Sequence, residues 1–364
     1  MGAGGASFGG AVRALRRDVA MTGCTFAGNA AVGLDDRHYG GAIACSTSKP
    51  MVKDCVFEGN LANFGGAIYT DNFSSPKVTG CTFLGNEAHA GRGGAMYCGV
   101  HCNSTVAGCS FIANTADDEG GAIYSRGWPY FLSCVFSANA AANGAAAFIE
   151  SAGNATFTNC TIHANQAARN GGAIYGLQST TRMANCILWA NAPDAVYLVN
   201  GTAEIAYSNV QDPWAGEGNL HRDPQFFDPV GADGVPGTGD DDLRLSMGSP
   251  CLDAGDNGAV LASMTTDLDG KSRIANSRVD MGAYEFNGPF CYYVDAATGS
   301  DLNTGWTPKT AFATIQKGID VAPEGYTVAV APGLYREDID FRGKAVTVAG
   351  LNGAPTLESP DEYA

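Results

Sequence analysis

Apolar residues in the first 210 positions fall in short alternating runs, and the runs themselves return about every 26 residues. The clearest is Cys55-Val56-Phe57-Glu58-Gly59-Asn60, followed after a short loop by Gly65-Gly66-Ala67-Ile68-Tyr69. The first half returns as Cys24 to Asn29, Cys81 to Asn86, Cys109 to Asn114 and Cys134 to Asn139. Weaker copies run from Cys160 to Asn165 and from Cys186 to Asn191. The second half returns at Gly40 to Ile43, Gly93 to Tyr97, Gly120 to Tyr124 and Gly171 to Tyr175, with a degraded copy at Asn143-Gly144-Ala145. Successive cysteines lie 31, 26, 28, 25, 26 and 26 residues apart, a repeat-protein period.

Three residues before each cysteine stands another apolar column: Met21, Val52, Val78, Val106, Phe131, Phe157 and Met183. Cys and Phe at i and i+2 share one face of a strand, whereas i−3 has the wrong parity, so a corner lies between them. The Asn of each copy marks a second corner, and the Gly-Gly pair opens another short strand carrying Ile68, Met96, Ile123 and Ile174. Short strands, corners and identical side chains returning to one place predict an all-β parallel β-helix, with roughly 4.8 Å between rungs and a rod of roughly 35 Å over the seven copies. Its interior is columns of Cys, Phe, Ile and Val, and its asparagines form an amide ladder. The Leu-x-x-Leu-x-Leu pattern of a leucine-rich repeat is absent.

Composition narrows the partners. The net charge of −16 disfavours nucleic acid and anionic membrane surfaces. Twelve cysteines would suggest a disulfide scaffold in a small protein, yet seven occupy one repeat position. There they act as small hydrophobes, either as free buried thiols or, in places, as rung-to-rung disulfides. Cys98 and Cys102 differ: they read as a turn, where a local disulfide is expected, and no second Cys/His pair accompanies them to complete a zinc site. No apolar run reaches the length of a transmembrane helix, and the start lacks the pattern of a signal peptide. Because Gly9-Gly10-Ala11-Val12 already matches the second half-motif, the true N-terminus and any export signal are expected upstream.

The alternation of Gly-Gly-Ala-Ile with Phe-x-x-Asn, over residues 8 to 210, resembles the repeats of polymorphic outer-membrane proteins and related bacterial surface proteins built on a right-handed parallel β-helix of the pectin-lyase type. That resemblance implies a secreted or cell-surface protein, often adhesive.

From Gln211 the period is lost. Asp223-Pro224-Gln225-Phe226, Ser249-Pro250-Cys251-Leu252-Asp253-Ala254-Gly255, Asp267-Leu268-Asp269-Gly270 and Val279-Asp280-Met281-Gly282-Ala283-Tyr284-Glu285 follow in order. This series resembles the C-terminal region of secreted bacterial β-helix proteins, which implies that residues 211–288 close the open end of the rod. Asp233, Asp240, Asp241 and Asp242 in one Gly/Pro-rich loop, and Asp267 with Asp269 in a second turn, are the candidate calcium ligands, since hard cations take clustered oxygens. The rival reading of both is a solvated acidic turn.

Residues 289–364 restart a fold. Ile315, Ile319 and Ala322 share a helical face, while Val328 and Val330 alternate as in a strand. The segment resembles the N-terminal cap of pectate-lyase-like proteins, which implies the first rung of a second β-helix.

Charged candidates for chemistry lie in the loops before Gly-Gly: Asp35, Asp36, Arg37 and His38; Glu87, His89 and Arg92; Asp117, Asp118 and Glu119; and Arg169. No acidic pair repeats at one position in adjacent copies, so they single out no catalytic set. The row Tyr69, Tyr97, Tyr124 and Tyr175 is the stronger binding feature. If the preceding residue faces inward, these rings face out, where they suit sugar rings or a partner protein; structural stacking is the rival. The expected function is a non-enzymatic exported module for adhesion, display or glycan binding, with glycans or cell-surface proteins as partners. The alternative is a polysaccharide lyase or related enzyme whose catalytic rungs lie outside this sequence.

Overall fold

A computed structural model of the chain describes residues 7–32, 38–150, 153–288, 290–351 and 353–359. The chain folds into two compact units. The first comprises Met1–Pro224, Val230–Asp241 and Pro250–Glu285, the second Gln225–Pro229, Asp242–Ser249 and Phe286–Ala364. The region expected as one closing segment, 211–288, is therefore divided between them.

The first unit is a parallel β-helix. One coil consists of Leu61–Phe64, Ile68–Asp71, Lys77–Thr79 and Thr82–Leu84, on what we call the first to fourth faces. Each strand pairs in parallel with its counterparts in the neighbouring coils, giving one sheet of seven strands and three of eight. Because the register holds from coil to coil on the second, third and fourth faces, like side chains stack. Phe57, Phe83, Phe111 and Phe136 lie 4.7–4.8 Å apart with planes 5° from parallel, the spacing of the strands themselves. Ile43, Ile68, Met96 and Ile123 form the matching column of the second face, and Val52, Val78, Val106 and Phe131 that of the third.

The corners explain the motif residues. The residue before each cysteine turns left-handed, with φ of 51° at Asp54 and 64° at Gly80, which reverses the side-chain parity between the i−3 column and the cysteine. The residue before each asparagine does the same. Gly65, at φ 66°, could not carry a Cβ without striking the Ile68 carbonyl, and a Cβ on Gly66 would strike the Gly94 and Glu87 carbonyls of the next coil. Two different constraints thus make the Gly-Gly pair.

The asparagine ladder runs from Asn29 to Asn191. Each Nδ2 donates to the next Oδ1 at 2.8–2.9 Å, each Oδ1 also accepts the backbone N–H of the preceding asparagine, and Nδ2 bonds a carbonyl such as Phe57 O. Gln211 continues it, its side chain bonding Asn191 N and O at 2.6 Å. All twelve cysteines are free thiols. In the repeat column Sγ accepts from the previous cysteine's N–H, at 3.4 Å from Cys24 to Cys55, from Cys55 to Cys81 and from Cys81 to Cys109.

Cys98 and Cys102 form no disulfide. Cys98 ends the strand Met96–Cys98 rather than lying in the turn, and its side chain fills the inward column between Thr70 and Ser125 with its Sγ 3.3 Å from Ser104 Oγ. Burial pushes the Cys102 thiol up to about 12.

The acidic sequence is placed in two ways. Trp214 packs on the core of the last coil, and Asn219 bonds Ile205 O at 2.8 Å and Ser208 N at 3.0 Å there. Residues 250–285 instead lie along the side of the rod: Ala283 N bonds Thr161 Oγ1 at 3.0 Å, and Asn185 Oδ1 accepts Asp256 N at 2.7 Å. They cover the outward positions Thr161, Ile187 and Asn209, whereas the equivalent Val56 stays exposed. Arg273 and Glu285, both buried, hold this segment together at 2.8 Å, with Arg273 also donating to the carbonyls of Gly282, Ala283 and Tyr284.

In the second unit, Cys291–Val294, Thr327–Val330 and Thr347–Gly350 form a parallel sheet, and Leu334–Arg336 pairs with Thr356–Glu358. Helix α1, Ile315–Val321, buries Ile315 and Ile319 against Val294 and Val328. Its first N–H groups are held by the Glu337 carboxylate, which accepts from Ile315 and Gln316 at 2.8 and 2.9 Å. Among the described residues no helix is long and apolar enough to cross a membrane.

Candidate functional site

The register position after the inward residue of the second face reads Arg13, Ala44, Tyr69, Tyr97, Tyr124, Phe148, Tyr175, Tyr197 along the axis. Alternation points these side chains out of the coil, as the sequence predicts. Their exposure departs from the prediction. Tyr69 is 8% exposed and Tyr124 fully buried, while Tyr97 and Tyr175 are half-buried. Two causes act together. The rings stack on one another, with centroids 5.1 Å apart for Tyr69 and Tyr97 and 4.8 Å for Tyr97 and Tyr124, so their faces are occupied. The first face meets the second at an angle across Gly-Gly, and its last residues fold over the column: the Phe64 ring meets Tyr97 edge-on at 5.6 Å, and Arg92 lies 5.1 Å over Tyr124. The row is a structural stack rather than an open platform.

Charges are woven along this stack. Arg92 pairs with Glu119 at 2.9 Å and donates to Tyr124 OH at 3.1 Å, Tyr124 OH donates to Glu150, and Arg126 stands 3.8 Å from Glu150. Tyr69 OH donates to Asp71 at 2.9 Å. Burial pushes the Tyr97 phenol up to about 12 and those of Tyr69 and Tyr124 further, with adjacent carboxylates adding to the shift of both.

The aromatic column starts at Tyr69, with Ala44 and then Arg13 in the register positions before it. Ala44 stands in register with Tyr69, and its small side chain leaves a pocket of about 270 Å³. Tyr39, Tyr69, Arg13, Ser46, Asp71 and Asn72 line it. Tyr39 enters from the first face, its centroid 4.7 Å from that of Tyr69. The pocket combines aromatic walls with a carboxylate, an amide and a guanidinium, a mixture suited to a ligand with apolar faces and hydroxyl edges.

Other sequence candidates scatter. His89 lies 3.5 Å from Glu87 and 3.3 Å from Asp117, all exposed on the first face. His38 is buried, and Asp35, Asp36 and Arg37 lie outside the described residues. The suggested calcium ligands do not gather. Asp240 accepts Ala232 N, Asp233 N and Thr238 Oγ1, and Asp241 accepts Gly237 N, so each carboxylate serves its own loop. Asp233 accepts Val235 N, and Asp242 opens a strand and pairs with Arg244 at 3.1 Å. Asp267 is buried and accepts Lys271 N and Glu285 N, while Asp269 faces Lys271 at 3.7 Å. Among the described residues no three His, Cys, Asp or Glu side chains are placed to hold one metal ion.

Sequence reasoning missed the Ala44 pocket and an exposed row, Phe73, His101 and Trp128, in the loops between the second and third faces. The signals were present: Ala where the unit has Tyr, and aromatic residues 28 and 27 positions apart, close to the repeat period.

The family model of the right-handed β-helix region matches residues 4–136 and 98–212, together more than half of the chain. No match was found among the curated proteins or the solved structures compared. Stacked parallel coils and this match agree, and the chain belongs to the right-handed β-helix family.

Proposed function

We propose that this chain is a non-enzymatic module of an exported, cell-surface β-helix protein, and that it binds glycans at the Ala44 pocket. The family's fold is consistent with surface and carbohydrate-related proteins. The observation that carries the reading is the point at which the aromatic column gives way to Ala44, where Tyr69, Tyr39 and the Asp71 carboxylate border one opening. In this reading residues 1–210 are the binding rod, residues 211–224 and 250–285 close and brace it, and 289–364 begin a second β-helix. Calorimetric titration with oligosaccharides from cell-surface glycans tests it. Binding that Asp71→Ala weakens about tenfold supports the pocket, and no binding to any member of the panel overturns it.

The enzymatic alternative has one observation in its favour, the exposed His89 set between Glu87 and Asp117, an arrangement able to move protons. Incubation with polyuronates decides it. Absorbance of unsaturated products that disappears in His89→Ala would replace the binding reading with a lyase.

A further inference from the structure

Three successive loops from the second face to the third each present one aromatic ring. Phe73 and His101 stack with centroids 4.7 Å and planes 12° apart, and Trp128 follows at 5.9 Å from His101. All three are exposed, Phe73 to 68% and Trp128 to 38%. The backbone beneath two of them is left-handed: Phe73 has φ 62° and His101 φ 59°, and for Phe73 this is a region that bulky side chains avoid and that glycine would occupy freely. A phenyl ring held in water on a left-handed turn, as at Phe73, is unfavourable twice over, and such strain concentrates at ligand sites.

Size and charge decide what the row fits. Three partly exposed rings offer on the order of 300 Å², well below the roughly 800 Å² that each partner contributes to a stable protein interface. Rings repeating once per coil, 4.7 and 5.9 Å apart, suit a linear ligand that lies along the axis. Asp71 and Asn72, which directly precede Phe73 in the chain, line the Ala44 pocket, so the row starts one residue from the pocket's lining. A net charge of −16 opposes a polyanionic chain.

We infer that Phe73, His101 and Trp128 form the extended subsite for an uncharged linear oligosaccharide, one end of which lies in the Ala44 pocket. The ligand class rests on the glycan reading above; the residues do not.

The test is calorimetric titration of the full chain with cello-, laminari- and xylo-oligosaccharides of increasing length, with oligogalacturonate beside them. The expected result is affinity that rises with length for a neutral series. Phe73→Gly and Trp128→Ala each weaken the long members about tenfold and the disaccharide less than about twofold, whereas Asp71→Ala weakens both. Phe73→Gly also raises the melting temperature, because it removes the left-handed strain, so its lost affinity is not unfolding. Affinity independent of length, or long-chain binding unchanged in Phe73→Gly and Trp128→Ala, overturns the subsite even if Asp71→Ala still abolishes binding and the pocket survives. Loss in the two ring variants with none in Asp71→Ala keeps the row as a binding strip and overturns the pocket as its terminus. Preference for oligogalacturonate overturns the assignment of an uncharged ligand.

Discussion

Asn86 donates its Nδ2 hydrogen to Asn114 Oδ1 at 2.9 Å while its own Oδ1 receives Asn60 Nδ2 at 2.8 Å and Asn60 N–H at 3.0 Å. One side chain therefore satisfies polar groups of two neighbouring coils in a fully buried column. Asn86→Ala leaves the Asn60 amide and N–H without their acceptor, and each such group costs about 1–3 kcal/mol. A loss of about 3 kcal/mol in urea unfolding is expected. Asn29→Ala, at the half-buried end of the ladder, should cost about 1 kcal/mol.

The left-handed corners give a prediction of opposite sign. Asp54 holds φ 51° where the next coil has Gly80 at 64°. Asp54→Gly should raise stability by about 1 kcal/mol, read as a higher melting temperature. Gly66→Ala should lower it, since its Cβ meets two backbone carbonyls that cannot move without shifting a coil.

Burial pushes the imidazole of His163 down to about 4 from 6.5. The native state then resists protonation at a pH where the unfolded chain already takes up a proton, so stability falls as pH drops from about 6.5 toward 4. The full difference corresponds to about 3 kcal/mol. Urea midpoints measured across that window should decline for the parent and flatten for His163→Gln; equal slopes would remove His163 as the cause.

Arg273 and Glu285 form a buried pair in the segment that braces the side of the rod. Arg273→Ala strands a buried carboxylate, an effect of about 3–5 kcal/mol. Faster amide exchange should be confined to residues 250–285, with the coil strands near Phe83 keeping their protection.

Much of the rod is legible because its columns are one-residue rules: a cysteine every coil, a parity break beside it, an asparagine at the next corner. Tyr69 and Tyr124 show where such rules stop. Alternation along one strand sets which way a ring leaves the backbone, but its exposure depends on Phe64 and Arg92, which reach it across a bend whose angle no local pattern encodes. Cys98 departs from its expected turn for a related reason, since the end of its strand is set by pairing with Thr70 and Ser125 in other coils. The acidic segment is recognisable by its order of motifs, yet Thr161 and Ile187, the surface it covers, lie about a hundred residues away in sequence.

The ladder also bears on how such a rod changes length. Asn86, Asn114 and Asn139 are interchangeable as neighbours, since each offers the same donor and acceptor in the same place. Excising a whole coil, from Glu87 through Asn114, would bring Asn86 beside Asn139, Phe83 beside Phe136 and Ile68 beside Ile123, each pair in the register it needs. The coil is thus the natural quantum of insertion and deletion, and shortening by one would bring Phe73 within one step of Trp128 without disturbing a single column.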